Sequence, residues 1–132
     1  MGRDINHQLI QFFECNILEH SKVASAKRID DDTEDYMIYK VMRTGLPDLR
    51  ILMADQYDFT ETDLNSLPAQ ISRGDIVYIA DPNGHASSAA FSQGKERGIY
   101  IGRFGVVFGA LNLPEPWTYI PPDERKKKKK SS

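Results

Sequence analysis

Apolar side chains recur at Ile5, Leu9, Phe12, Phe13 and Ile17, the i, i+4, i+7 spacing of one helical face, and this predicts a helix over residues 5–20. Asp4 stands where a capping carboxylate meets free amides and the positive end of the helix dipole. The period then changes. Residues 36–42 and 49–57 are dense in Ile, Leu, Met, Tyr and Val, and Thr44-Gly45-Leu46-Pro47-Asp48 between them has the composition of a chain reversal. An antiparallel hairpin is predicted there, with residues 23–29 as a weaker preceding strand.

Beyond residue 58 strands and helices alternate. Thr60 followed by Glu61 and Asp63 predicts a capped short helix, limited by Pro68. Residues 75–80 form an apolar run too dense for a half-exposed strand, so they predict a strand covered on both faces. Asp81 to His85 turn the chain, Ser87 caps a helix reaching Arg97, and Gly98 closes it. Residues 99–108 predict a final strand or hairpin, with Gly102, Gly105 and Gly109 marking bends. Past Leu113, four prolines (Pro114, Pro116, Pro121, Pro122) exclude regular structure, while Trp117 and Tyr119 pin that segment by burying aromatic area. The predicted fold class is α/β with a mixed sheet. An N-terminal helix and an antiparallel β-meander lead into strand-helix-strand-helix-strand with parallel pairing and right-handed crossovers.

Composition adds boundaries. With 132 residues, 40% hydrophobic and 27% charged, the chain has material for one core, expected over residues 1–122. Residues 123–132 are expected to form a disordered polybasic tail. That segment holds six basic and two acidic residues, net +4, whereas residues 1–122 hold 11 basic and 17 acidic, net −6. The acidic body disfavours a broad nucleic-acid-binding face and favours a basic partner protein; a homo-oligomer is the other partner expected. Nucleic acid is then expected only at Arg125, Lys126, Lys127, Lys128, Lys129 and Lys130, through counterion release. No apolar run reaches the roughly 18 residues of a membrane span, and the N-terminus lacks the pattern of a signal peptide, so a cytoplasmic protein is expected. Gly2 lacks the Ser or Thr at position 6 that myristoylation asks for; Asn6 stands there. Cys15 is the lone cysteine, expected to be a buried small hydrophobe, so no internal disulfide can form.

Metal and cofactor motifs are missing. His7, His20 and His85 have no zinc spacing with the one Cys. Asp30-Asp31-Asp32-Thr33-Glu34-Asp35 is acidic but lacks the Gly and Glu of a calcium loop, so it reads as an exposed turn. Neither a phosphate-binding Gly-rich loop nor a Gly-x-Ser-x-Gly elbow is present. No cofactor is expected. One constellation remains. Open α/β sheets bind ligands beyond the carboxyl ends of parallel strands. If residues 49–57 and 75–80 pair in parallel, Asp55, Asp58, Asp81, Asn83, His85 and Ser87 gather on one rim suited to a small polar ligand. Helix amides near Ser87 and Ser88 would add an anion site, and His85 a group titrating near neutrality. The competing reading is structural: Asp81-Pro82-Asn83-Gly84 is an ordinary turn composition and Ser87 an ordinary cap.

The element order, and residues 71–102 within it, resembles the restriction-endonuclease-like fold and the strand–helix–strand tail of Mrr-type nucleases. That resemblance implies an acidic residue followed by (Asp/Glu)-x-Lys on the next strand, holding Mg²⁺ and activating water. The nearest matches are Asp35 with Asp48-Leu49-Arg50, and Asp48 with Asp55-Gln56-Tyr57; Arg50 or Tyr57 stands where lysine belongs. Three functions follow as expectations. The first is a domain acting by binding a small polar ligand or partner protein. The second is a metal-dependent nuclease or phosphodiesterase with His85 as acid–base. The third is a nucleic-acid accessory protein working through its tail.

Overall fold

The computed structural model describes residues 7–29, 37–54, 57–68, 71–80 and 84–119. Helix α1 (His7–Glu19) is followed by β1 (Val23–Arg28), β2 (Met37–Arg43) and β3 (Leu46–Ala54). Next come β4 (Asp58–Phe59), α2 (Glu61–Asn65), β5 (Ile76–Ile79), β6 (His85–Ala86), α3 (Ser88–Arg97), β7 (Tyr100–Gly102) and α4 (Phe104–Ala110). Strands β1, β2, β3, β5 and β7 lie in that order in one sheet. The meander β1–β2–β3 is antiparallel, and β5 pairs in parallel with β3 and β7. The mixed α/β architecture expected from the sequence is therefore present.

Alternation along the strands splits the core between the two faces of the sheet. Met37, Tyr39, Val41, Ile51, Met53, Tyr78 and Tyr100 face one side, where Phe13 and Ile17 of α1 and Val107 and Ala110 of α4 cover them. Ile38, Leu52, Val77, Ile79 and Ile101 face the other, under Leu64 of α2 and Ala90 of α3. Both crossover helices thus lie on one side, and β5 is buried at every position, as its apolar run requires.

Local chemistry sets the ends of these elements. Ser87 Oγ accepts the Ala90 amide at 3.1 Å and caps α3, which stops at Gly98 in the left-handed region (φ 79°). The Thr60 amide donates to Asp63 Oδ2 at 2.9 Å, one half of a capping box opening α2. The hairpin turn is tighter than residues 44–48. Gly45 takes φ 73°, β3 already begins at Leu46, and Pro47 sits inside the strand.

Four expectations need correction. Residues 104–110 are helix rather than strand. Phe104, Val107, Phe108 and Leu111 fall at i, i+3, i+4, i+7, and that stripe packs on the α1 side of the core. The packing outweighs the helix cost of Gly105 and Gly109. Cys15 is exposed, because α1 turns Phe13 and Ile17 inward and position 15 lies on its outer side. Phe12, assigned to the same inward face, is 47% exposed and meets Phe104 of α4 at 4.6 Å between ring centroids. Pro116–Thr118 form a 3-10 turn despite the prolines, since Pro at its first position loses no needed donor. The pinning of this segment does occur. Arg73 lies over the Trp117 ring at 4.5 Å, and Tyr119 meets Tyr100 edge-on. The acidic run 30–35 and the lysine tail lie outside the described residues.

Two buried charged residues hold elements together. Arg43 donates to the carbonyls of Pro47, Leu111 and Leu113 at 2.8, 3.0 and 2.6 Å, tying the hairpin to the end of α4. Burial pushes its pKa down, and the Asp48 charge opposes that. Asp75, just before β5, accepts the amides of Arg50 and Ser72, both at 2.8 Å. Burial pushes its pKa up, outweighing those two hydrogen bonds and the Arg50 charge. A carboxyl raised in the folded chain binds its proton more tightly there than when unfolded. Its contribution therefore favours folding most below the ordinary carboxylate range and is lost as pH rises through the folded pKa. Asp75→Asn removes this titration. The stability gap between wild type and variant is expected to widen as pH falls from 7 to about 3. Urea unfolding midpoints along that series check it; a constant or narrowing gap contradicts the assignment.

Candidate functional site: the crevice beyond β5 and β7

The parallel strands β5 and β7 both end beside Arg103, which forms the link between β7 and α4. Two clefts open there. The larger, about 560 Å³, lies between Leu9 and Phe12 of α1 and Phe104, Gly105 and Val106 of α4, over Tyr78 and Ala80. The second, about 400 Å³, lies on the α3 side, among His85, Ser88, Phe91 and Tyr100. Ile79, Arg103 and Val106 line both. The two clefts share a wall at the carboxyl ends of neighbouring parallel strands, where ligands collect in open α/β sheets.

The walls are mostly apolar. Phe12, Phe104 and Phe108 stand in a chain of ring contacts at 4.6 and 4.2 Å. Tyr78 stacks on Phe13 at 5.1 Å, and burial pushes its phenol pKa up, so at neutral pH it is uncharged. The polar rim comes from a second, two-stranded sheet. Strands β4 and β6 run parallel, with the His85 amide donating to the Tyr57 carbonyl at 2.9 Å and the Ser87 amide to the Phe59 carbonyl at 2.8 Å. This ladder sets Asp58 opposite His85, and His85 Nε2 lies 3.0 Å from Asp58 Oδ1. The ring of Tyr57 meets His85 edge-on at 5.6 Å. Both members of the pair are well over half exposed, so it orients the imidazole more than it stabilises the fold.

No protein-family model, curated protein or solved structure matched the chain. The crevice must speak for itself.

Of the residues expected on the rim, the structure brings Asp58 and His85 together and places His85 in the second cleft. Ser87 is committed to its helix, its Oγ taken by the Ala90 amide. Asp55, Asp81 and Asn83 lie outside the described residues. So does Asp35, one of the carboxylates the nuclease resemblance asks for; Asp48 and Arg50 both lie on β3. Among the described residues no group of three metal-ligating side chains comes together, and no helix is long and apolar enough to cross a membrane.

Sequence reasoning missed Arg103, Phe104 and Val106. The signal was present, since apolar residues at 104, 107, 108 and 111 fit a helical period. It was overridden by the β-rich run before it and by two glycines that disfavour helix.

Proposed function

We propose that this domain acts by binding, and that the crevice beyond β5 and β7 takes a small molecule with a flat apolar body and a polar or anionic head. The observation that carries this reading is the wall of Ile79, Arg103 and Val106 that two clefts share where two parallel strands end. Aromatic walls suit an apolar body. A rim with Arg103, His85 and Ser88 suits the head, through charge-assisted and neutral hydrogen bonds. This adds an apolar body to the small polar ligand expected from the sequence, because most of the enclosing surface is hydrocarbon.

Gly105 provides the test. It lines the larger cleft, and a Cβ built on it meets nothing within 4 Å, so Gly105→Leu narrows the cleft with no clash at Cβ. Thermal melts with millimolar benzoate, phenylacetate and indole-3-acetate are expected to show a rise for at least one compound in the wild type. Saturation at a hundredfold excess over Kd corresponds to about 2.7 kcal/mol. The rise should disappear in Gly105→Leu while the unliganded midpoint holds or increases. No rise with any compound, or the same rise in both proteins, overturns the reading.

A further inference from the structure

The meander carries an arrangement that the crevice does not use. Lys27 of β1 is the direct partner of Lys40 on β2, and Lys40 is the direct partner of Arg50 on β3. Directly opposed residues of an antiparallel pair project from the same face, so three cations stand in one row across three strands. With strands about 4.8 Å apart, the row is about 10 Å long. Like charges directly opposite each other are unfavourable in a sheet. No carboxylate among the described residues forms an ion pair with Lys27, Lys40 or Arg50 within 4.0 Å. Asp75, beside Arg50, spends its oxygens on two backbone amides instead, and the Arg50 Nε is buried with no hydrogen-bond partner.

The neighbourhood of the row is open. α1 and α4 cover the opposite face of the sheet, and on this face the α2–α3 layer buries Ile38 and Leu52 but leaves Lys40 and Met42 exposed. Lys27 and Lys40 are exposed, and Met42, two positions along β2 on the same face, is 47% exposed. β1 is the outermost strand on that side, pairing with β2 alone among the described strands, so its outer edge offers backbone N–H and C=O groups.

We propose that the open face and edge of the β1–β2–β3 meander dock a short, extended, acidic segment of a partner protein. An added strand along β1 would satisfy the free edge. A carboxylate directly opposite Lys27 would extend the Lys27–Lys40–Arg50 row with opposite charge, and its neighbours along the added strand would turn apolar side chains to the other face of the sheet. The charge of the rest of the molecule selects the length of this occupant. The body is net negative, with 17 acidic against 11 basic residues over residues 1–122. A long polyanion such as nucleic acid would run past a row only about 10 Å long onto repelling surface, whereas a short strand added along β1 sets a carboxylate opposite Lys27 and ends there.

The test uses the full chain and a labelled, end-blocked hexapeptide of alternating Glu and Val, with binding followed by fluorescence anisotropy. Binding is expected and should weaken as salt is raised. The double variant Lys27→Glu/Lys40→Glu changes two exposed positions. It should keep its melting midpoint, lose about tenfold or more in affinity, and gain affinity for a Lys–Val hexapeptide. A variant with glutamine at positions 126–130 should bind the Glu–Val peptide like the wild type. The proposal is overturned if the peptide does not bind or if the double variant binds it unchanged. It is equally overturned if the tail variant loses the binding, or if an oligothymidylate binds more tightly through the same lysines.

Discussion

Arg43→Ala is expected to lower the unfolding free energy by about 4 kcal/mol, the largest effect of any single substitution considered for this chain. Arg43 is 6% exposed, and its guanidinium serves three backbone carbonyls, one in the hairpin and two just after α4. Hydrogen bonds to a charged donor contribute about 1.5–3 kcal/mol each, and each acceptor left dry costs about 1–3 kcal/mol. The sum is reduced because water would reach some of the vacated space. In a domain whose total stability is of order 5–15 kcal/mol, such a loss can unfold the protein outright. Arg43→Lys supplies the graded measurement. It keeps the charge but loses the fork that reaches carbonyls on two elements at once, and is expected to cost about half as much. Urea unfolding of both variants checks the ordering. An alanine variant within about 0.5 kcal/mol of wild type would show that the clamp carries no weight.

Gly94→Ala should be the second large effect, with a sign opposite to that expected from helix propensity. Gly94 lies inside α3, where alanine ordinarily gains about 1 kcal/mol over glycine. Here a Cβ would stand 2.8 Å from Ile101 Cδ1 and 2.9 Å from the carbonyl oxygen of Ile99. The Ile101 side chain can turn away, but Ile99 is backbone, and its amide is bonded to the Gly94 carbonyl at 2.7 Å. Helix α3 and the start of β7 would have to separate, for a net loss of about 1–3 kcal/mol. Gly105→Leu is the internal control, because that helical glycine faces open space. In thermal melts Gly94→Ala should move downward, and Gly105→Leu should melt no lower than wild type. A stabilised Gly94→Ala would mean that α3 and β7 tolerate a wider spacing.

Gly94 and Gly105 also illustrate how far a linear pattern reaches. Both appear in the sequence as helix-weakening residues of the same kind. One is a point of close approach and the other a gap in a cleft wall, a distinction set by what stands across from each. The same holds for α4. The local run from Ile99 to Phe108 favours a strand, yet Phe104, Val107, Phe108 and Leu111 gain more by covering the core beside α1. The partners of that stripe, Phe13 and Tyr78 among them, are distant along the chain.

The candidate site divides in the same way. The placing of a rim at the carboxyl end of β5 followed from sequence pattern and the rule for open sheets, and His85 does stand in that crevice. The apolar half of the crevice was not legible, because Leu9, Phe12, Tyr78 and Phe104 come from three separate stretches whose meeting depends on the packing of α1 against α4. Nor was the cationic row. Lys27, Lys40 and Arg50 become neighbours only through strand register, and a slip of one residue would turn Lys40 to the other face.

By itself, then, the sequence determined the α/β class, the capped helices α2 and α3, the antiparallel hairpin and the doubly buried strand β5. Each rests on interactions within a few residues or on a short period of apolar positions. Tertiary structure alone decided that Phe104–Ala110 is helical, that Arg43 clamps the hairpin to α4, and which side chains wall the crevice. Those outcomes depend on burial and contact between residues far apart in the chain, where packing outweighs local preferences of at most about 1 kcal/mol per residue.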